Sequence, residues 1–301
     1  MSTAKVTIAG VELKNPVMTA SGTFGSGMEY SRLTDLSKLG AVVTKGVANV
    51  PWEGNGTPRI AETPSGMLNA IGLQNPGIDT FIERDLAFLK DFDTKVVVNV
   101  CGRSVRDYCE VAERLSNEER VDLLEINISC PNVKEGGIAF GTDPKAAAEV
   151  TREVKRYARQ GVIMKLSPNV TDIALMAKTV EDAGADAVSA INTLTGMKID
   201  IRKRQFALAN RTGGLSGPAI RPVAVRMVYQ IAKAVSIPVI GMGGITCAED
   251  ALEFIMAGAS AVSVGTASFT DPCAAEKTAA GIESFLEENK IADIHELIGC
   301  V

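Results

Sequence analysis

The sequence predicts an α/β protein of the (β/α)8 TIM-barrel class, and three observations support this prediction. Eight short apolar runs, rich in β-branched residues, recur along the chain with helical patterns between them. The runs are continuously apolar, which is typical of strands buried on both faces of a parallel sheet. Each run ends in small and polar residues, as strands do at the catalytic face of such barrels. We therefore expect a single barrel domain over residues 1–301, with an N-terminal hairpin and long active-site loops.

The predicted strands follow one another at intervals that leave room for crossover helices. In chain order they are PVMTAS (16–21), AVVTKG (41–46), KVVVNVC (95–101), LLEINIS (123–129), GVIMKLS (161–167), AVSAINT (187–193), IPVIGMGG (237–244) and AVSVGTA (261–267). Three intervening segments carry an apolar stripe at helical spacing: DPKAAAEVTREVKRYARQ, TDIALMAKTVEDAGA and CAEDALEFIMAGA.

The ends and connections of the barrel are also predictable. Before the first strand, KVTIAGVELKNPV alternates like a hairpin that caps the bottom of the barrel, although it could equally be a stray leader strand. The connections 47–94 and 194–236 are long. Loops of that size in a barrel usually form the active-site face.

Composition excludes several classes of function. The net charge of −5 provides no basic stripe for nucleic acid, and no apolar stretch approaches the roughly 18 residues of a membrane span. The start of the chain has no apolar signal core, so we expect a cytoplasmic protein. The six cysteines lie far apart without a C-x-x-C pair, and His295 is the only histidine. We therefore expect no disulfide scaffold, no metal site and no histidine-based catalysis.

The strand ends carry residues suited to a polar, phosphorylated ligand. The last two strands end in GMGG (241–244) and VGTA (264–267), whose backbone N–H groups can hold a phosphate. Lys45 and Lys165 lie next to strand ends, where a lysine can form a Schiff base or bind a phosphate or a reduced flavin. The alternative is that each side chain only extends to the solvent at the rim. Three asparagines on separate strands match the amide edges of a pyrimidine or an isoalloxazine ring: Asn99, Asn127 and Asn192.

Cys130 is the candidate base. It follows the fourth strand in INISCPN and precedes the glycine-rich VKEGGIAFG, which is typical of a loop that covers a ligand. A cysteine is often only a small buried apolar residue. At this rim, with no histidine nearby in the sequence, a thiol can accept a proton from carbon.

Together with INISCPN, further motifs make nearly the whole chain resemble the dihydroorotate dehydrogenases that use a cysteine base. The matching segments are TASGTFGSG (19–27), TKGV (44–47), TPRIAETPSGMLNAIGLQNPG (57–77), NVCG (99–102), MKLSPN (164–169), INTLTG (191–196), GGLSGPAIRP (213–222), GMGGI (241–245) and VGTA. The long 57–77 segment and INT rather than INS resemble the NAD-linked B type, class 1B, more than the fumarate-linked class 1A.

The resemblance implies oxidation of (S)-dihydroorotate to orotate in de novo pyrimidine (UMP) biosynthesis. Cys130 would remove a proton from C5 while hydride passes from C6 to FMN, and Lys45 would stabilise the developing charge. Electrons would continue to NAD through a partner subunit that carries FAD and a 2Fe-2S cluster. The implied assembly is a heterotetramer of two catalytic and two electron-transfer chains, in which this chain forms a homodimer.

The resemblance also assigns binding residues by position. Around FMN it places Ser21, Lys45, Gly46, Asn99, Asn127, Lys165, Ile191, Gly217, Gly243, Gly244, Gly265 and Thr266, the last four at the phosphate. Around dihydroorotate it places Lys45, Asn69, Ala70, Ile71, Gly72, Leu73, Asn127, Asn192 and Thr193, with Asn132 as a weaker candidate.

Other functions remain open at this point. A related FMN barrel could act on free dihydropyrimidines, and class 1A remains an alternative acceptor type. From another class, an aldolase or lyase barrel could use Lys45 or Lys165 as a Schiff base. A non-catalytic binding barrel would leave the thiol and the lysines without a role.

Overall fold

The computed structural model describes residues 2–129 and 138–301, without the side chains of 138 and 139. The strands, in chain order, are β1 (Val6–Ile8), β2 (Val11–Leu13), β3 (Val17–Thr19), β4 (Ala41–Val43), β5 (Ile60–Thr63), β6 (Gly66–Asn69), β7 (Lys95–Val100), β8 (Leu123–Asn127), β9 (Gly161–Lys165), β10 (Ala187–Ala190), β11 (Leu194–Met197), β12 (Ile199–Asp200), β13 (Gln205–Phe206), β14 (Thr212–Ser216), β15 (Val239–Met242) and β16 (Ala261–Val264).

Eight of these strands close into a barrel of parallel neighbours, in the circular order β3-β4-β7-β8-β9-β10-β15-β16. Each lies inside one of the eight apolar runs, so the predicted fold class is confirmed. Each barrel strand lies next to the barrel strand that follows it in the chain, as the (β/α)8 topology requires.

Helices surround the barrel. They are α1 (Ile78–Thr80), α2 (Ala87–Leu89), α3 (Val105–Leu115), α4 (Ile138–Thr142), α5 (Pro144–Tyr157), α6 (Ile173–Asp182), α7 (Arg221–Ala232), α8 (Ala248–Met256) and α9 (Ala274–Glu288), with a π-helical stretch at Phe81–Leu86 between α1 and α2. The three predicted helices correspond to α5, α6 and α8. Among the described residues, no helix has both the length and the apolar character needed to cross a bilayer.

Short polar side chains start the helices that follow β7 and β9. Ser104 forms a capping box with Asp107 ahead of α3. Asp172 accepts a hydrogen bond from the backbone N–H of Leu175 at the start of α6. These side chains satisfy N–H groups that have no partner within the helix, so each crossover begins at a defined residue after its strand.

The N-terminal hairpin caps the amino-terminal end of the barrel. β1 and β2 pair antiparallel, and Ile8 and Leu13 are completely buried. The turn between them packs against the start of β9, where a Cβ on Gly161 would lie 2.7 Å from the Cβ of Ala9. The capping alternative is therefore confirmed over the stray leader strand.

The two long connections differ from the expected loops because they contain a second sheet. β5, β6, β11 and β14 form an antiparallel sheet in the order β11-β14-β6-β5, and β12 pairs with β13 as a separate hairpin. These strands are short, and the pairing of β6 with β14 joins the two long connections, which are far apart in the chain. Local patterns carry little information about such pairings.

Candidate active site

A cavity of about 480 Å³ opens at the carboxyl ends of the barrel strands. Residues from the ends of β3, β4, β8, β9, β10, β15 and β16 line it. The four-stranded sheet supplies a further wall with Ile60, Met67, Asn69 and Ser216. The long connections therefore contribute to the active-site face, as the sequence predicts, but through paired strands.

Most of the predicted site residues lie together in this cavity. Its lining includes Ser21, Lys45, Gly46, Asn69, Ile71, Gly72, Leu73, Asn127, Lys165, Ile191, Asn192, Thr193, Gly217, Gly243, Gly244, Gly265 and Thr266. Cys130 and Asn132 lie outside the described residues.

Two predicted residues do not reach the cavity surface. Ala70 is completely buried and packs with Leu68 and Leu208 on the other side of the small sheet. Asn99 is also completely buried, and its amide lies beneath Asn127. Asn69 and Ile71 line the cavity, whereas the Ala70 side chain faces the other way, because alternate residues of an extended segment face opposite sides.

The floor of the cavity is a polar network centred on Glu125, which is not among the residues predicted from the sequence. Glu125 lies in the middle of β8 and is 2% exposed. Its Oε2 accepts a hydrogen bond from Asn99 Nδ2 at 2.6 Å, and its Oε1 accepts one from Ser189 Oγ at 2.8 Å. An acidic residue inside the apolar run LLEINIS is itself a signal, because an unpaired buried charge is costly.

Lys165 is held at the floor and does not extend to the rim. Its side chain is 4% exposed, and its Nζ lies 3.5 Å from Glu125 Oε2. The same Nζ donates a hydrogen bond to Ser21 Oγ at 3.2 Å. Lys45 is half-buried, and its Nζ would lie 3.7 Å from a Cβ on Gly22. Two ammonium groups thus line one cavity, which favours an anionic or electron-rich ligand.

A chain of amide hydrogen bonds links the floor to the exit of β8. Asn127 Nδ2 donates to Asn99 Oδ1 at 3.3 Å. Asn127 Oδ1 in turn accepts from the backbone N–H and the hydroxyl of Ser129, at 3.3 and 3.2 Å. Asn192 Nδ2 donates to Ser129 Oγ at 2.9 Å. These bonds fix the last described residue before Cys130, so the start of the candidate catalytic loop is anchored.

Three glycines at the far side of the cavity adopt backbone angles that favour glycine. Gly217, Gly243 and Gly244 have φ values of 101°, 129° and 87°. A Cβ on Gly244 would lie 2.8 Å from the carbonyl oxygen of Gly217, so the two loops need glycine to pack this closely. Gly265 precedes the 3-10 turn Thr266–Phe269. Such turns and glycine loops expose backbone N–H groups to an anion.

One hydroxyl in the cavity has no hydrogen-bond partner among the described residues. Ser263 lies on β16, is 1% exposed, and lines the cavity. A buried hydroxyl without a partner is unfavourable, so Ser263 indicates a polar atom of a ligand at this position. Ser263 is not among the residues predicted from the sequence, because a serine within AVSVGTA is unremarkable as a pattern.

The described cysteines provide no alternative to Cys130. Cys101, Cys109, Cys247, Cys273 and Cys300 are absent from the cavity lining. Burial, and the nearby Glu153, raise the pKa of the Cys109 thiol, which disfavours the reactive thiolate. No cluster of three potential metal-ligating side chains occurs within residues 2–129 and 138–301.

Comparison with known proteins gives one consistent family. The family model described as Dihydroorotate dehydrogenase matches residues 3–286. A protein of Lachnoclostridium phytofermentans named "Dihydroorotate dehydrogenase B (NAD(+)), catalytic subunit" is 70% identical over 98% of both chains. Proteins of the same name from Alkaliphilus metalliredigens and Geotalea uraniireducens are 61% and 60% identical, over 98% of this chain and 97% of theirs.

Proposed function

The chain belongs to the dihydroorotate dehydrogenase family, and we propose that it is the catalytic subunit of the NAD-linked B type. It oxidises (S)-dihydroorotate to orotate in pyrimidine biosynthesis. The observation that supports this most strongly is one cavity at the carboxyl end of the barrel. Glycine loops line one side of it, and two lysines and two asparagines line the other side: Lys45, Lys165, Asn127 and Asn192.

The residues of the cavity fit FMN as the bound cofactor. The N–H groups of the glycine loops, with Thr266, suit its phosphate, and the orphaned Ser263 hydroxyl needs a polar partner of the kind that a ribityl chain or ring edge provides. Lys165 and Asn127 suit the polar edge of its ring. When bound, FMN supplies the hydride-accepting chemistry that no side chain can provide.

The substrate-binding side of the cavity lies between the small sheet and the ends of β8 and β10. Asn69 and the segment 71–73 come from the sheet, and Asn192 and Thr193 follow β10. Carboxamides of this kind can donate to and accept from the ring amides of dihydroorotate, and Lys45 can pair with its carboxylate. Cys130, next to the anchored Ser129, removes the proton from C5.

The B type implies a second chain. The relatives are named as catalytic subunits, which supports a separate electron-transfer subunit. In this proposal that partner carries FAD and a 2Fe-2S cluster and transfers electrons to NAD. The assembly contains two catalytic and two electron-transfer chains. The two catalytic chains, each a single barrel domain, form a homodimer within it.

An absorption spectrum of the purified chain tests the function. We expect a yellow protein whose flavin band bleaches on anaerobic addition of dihydroorotate, and whose spectrum shifts with orotate. Uracil in place of orotate is the matched control, and a shift with uracil alone would support a dihydropyrimidine enzyme instead. A colourless chain that is covalently trapped by borohydride with a sugar phosphate would overturn the proposal in favour of a Schiff-base lyase.

A further inference from the structure

A carboxylate lies at the centre of the cavity floor, and the proposed reaction gives it no direct task. Both oxygens of Glu125 face donors: the Asn99 amide, the Ser189 hydroxyl and the Lys165 ammonium. Glu125 itself is absent from the cavity lining, so it acts on a ligand only through these neighbours.

Stability alone does not account for this arrangement. The Glu125 and Lys165 side chains are 3% and 4% exposed, so both charges have lost their water. The attraction within a buried ion pair is largely offset by this desolvation, and apolar replacements of similar volume are often as stable or more stable. The buried pair is therefore weak evidence for a purely stabilising role of Glu125.

The contacts of Glu125 run to two groups of the site. Its Oε2 lies 3.5 Å from the ammonium of Lys165, which lines the cavity. The same oxygen accepts a hydrogen bond from Asn99 Nδ2, which leaves Asn99 Oδ1 to accept from Asn127. One carboxylate thus determines both the net charge beneath the cavity and the orientation of its central amide.

We propose that Glu125 is a positioning residue that compensates the charge of Lys165 and fixes the Asn99 amide. It thereby limits how strongly the cavity stabilises negative charge added to bound FMN. This inference rests on the proposed function, because it concerns FMN in the cavity described above. Its consequence is that the reduction potential of the holoenzyme depends on Glu125, which never contacts the cofactor.

Glu125→Gln is the decisive variant because it changes charge and little else. A glutamine has the same shape, and its Oε1 can accept from Asn99 while its Nε2 donates to Ser189 Oγ. The contacts with Asn99 and Ser189 are retained, with the direction of the Ser189 hydrogen bond reversed, but Lys165 loses its counter-charge. We expect the reduction equilibrium of bound FMN to shift about tenfold toward the reduced form. For a two-electron couple this is about 30 mV, measured anaerobically against redox dyes.

Ser189→Ala is the matched control. It removes a hydrogen bond to the same carboxylate but leaves the charge in place. A purely structural role for Glu125 predicts that both variants lower the melting temperature and leave the potential unchanged. The proposal predicts a shifted potential for Glu125→Gln only. The reduction equilibrium of FMN in Ser189→Ala should stay within about twofold of that in the wild type.

Glu125→Asp keeps the inference testable if the glutamine variant does not fold. The shorter side chain keeps its charge but withdraws it from Lys165, so we expect a shift in the same direction of about threefold. An unchanged potential in whichever variant folds, with intact FMN and orotate binding, would overturn the role of Glu125 and leave the proposed function standing. Failure of the wild-type chain to bind FMN would instead overturn the proposed function.

Discussion

Removal of the Ser263 hydroxyl tests whether the cavity has been assigned to the correct ligand. Ser263 is 1% exposed, and its hydroxyl has no hydrogen-bond partner among the described residues. A buried hydroxyl in that state costs roughly 1–3 kcal/mol relative to a satisfied one. Ser263→Ala therefore should not destabilise the ligand-free chain, and we expect its melting temperature to rise by roughly 2 °C for about 1 kcal/mol.

The same substitution should weaken FMN binding. In the complex the hydroxyl gains a partner, and a net hydrogen bond contributes about 1 kcal/mol. The Kd for FMN should thus increase roughly fivefold, since about 1.4 kcal/mol corresponds to a factor of ten. Quenching of flavin fluorescence in a titration of the ligand-free chain measures the Kd, and thermal unfolding of the same sample measures stability.

Ser268→Ala is a closely matched control. Ser268 is also 1% exposed, and its hydroxyl also lacks a hydrogen-bond partner among the described residues, but the residue is absent from the cavity lining. Its alanine variant should show the same rise in melting temperature with an unchanged Kd for FMN. If Ser263→Ala binds FMN as tightly as the wild type, or if Ser268→Ala weakens binding equally, the position of the ligand is wrong.

Three further predictions concern the base, the phosphate loop and the periphery. Cys130→Ala should retain FMN and orotate binding but lose most turnover, with Cys130→Ser intermediate or poor; near-normal reduction by dihydroorotate would refute the assignment. Gly244→Ala, at φ 87° with a carbonyl oxygen 2.8 Å from the new Cβ, should raise the Kd for FMN at least about tenfold; unchanged binding would contradict the phosphate site. Burial alone would raise the pKa of Glu181, but hydrogen bonds from Lys178 and Ser236 outweigh it and lower the pKa from 4.5 to about 2. Since its folded pKa is lowered, Glu181 stabilises the fold above its unfolded pKa and loses this contribution as the pH falls toward 2. Solvent screening reduces the full electrostatic contribution, so Glu181→Gln should cost about 2 kcal/mol in urea unfolding at pH 7 and clearly less at pH 3; equal costs at both pH values would exclude the charge as the cause.

The barrel could be predicted because its strands are buried on both faces. AVVTKG and LLEINIS, for example, each became one strand followed by a polar rim, since continuous apolar runs have few other stable environments. Active sites of such barrels lie at the carboxyl ends of the strands. This alone predicts that Lys45 and Asn127 lie at the cavity, as the structure has them, without any knowledge of contacts.

Features that depend on distant pairing could not be predicted in this way. β6 pairs with β14 although four barrel strands, β7 to β10, lie between them in the chain, and neither strand has a strong local pattern. The sequence predicts Asn99 at the ligand because it is one of three asparagines at strand ends, but in the structure its amide donates a hydrogen bond to the carboxylate of Glu125 in the cavity floor. Such a contact requires the register between β7 and β8, which composition and periodicity do not specify.

The connectivity of the floor has a consequence for how substitutions combine. Glu125, Asn99 and Asn127 share hydrogen bonds, so effects of changes among them should not add. Ser263 lies on β16, which is on the opposite side of the barrel from β8, and it has no described partner in this network. Glu125→Gln and Ser263→Ala should therefore act independently. The double variant should show the shifted potential of Glu125→Gln and the weakened FMN affinity of Ser263→Ala. Glu125 compensates a charge in the floor, whereas Ser263 contacts the ligand from β16, so the two contributions are separate.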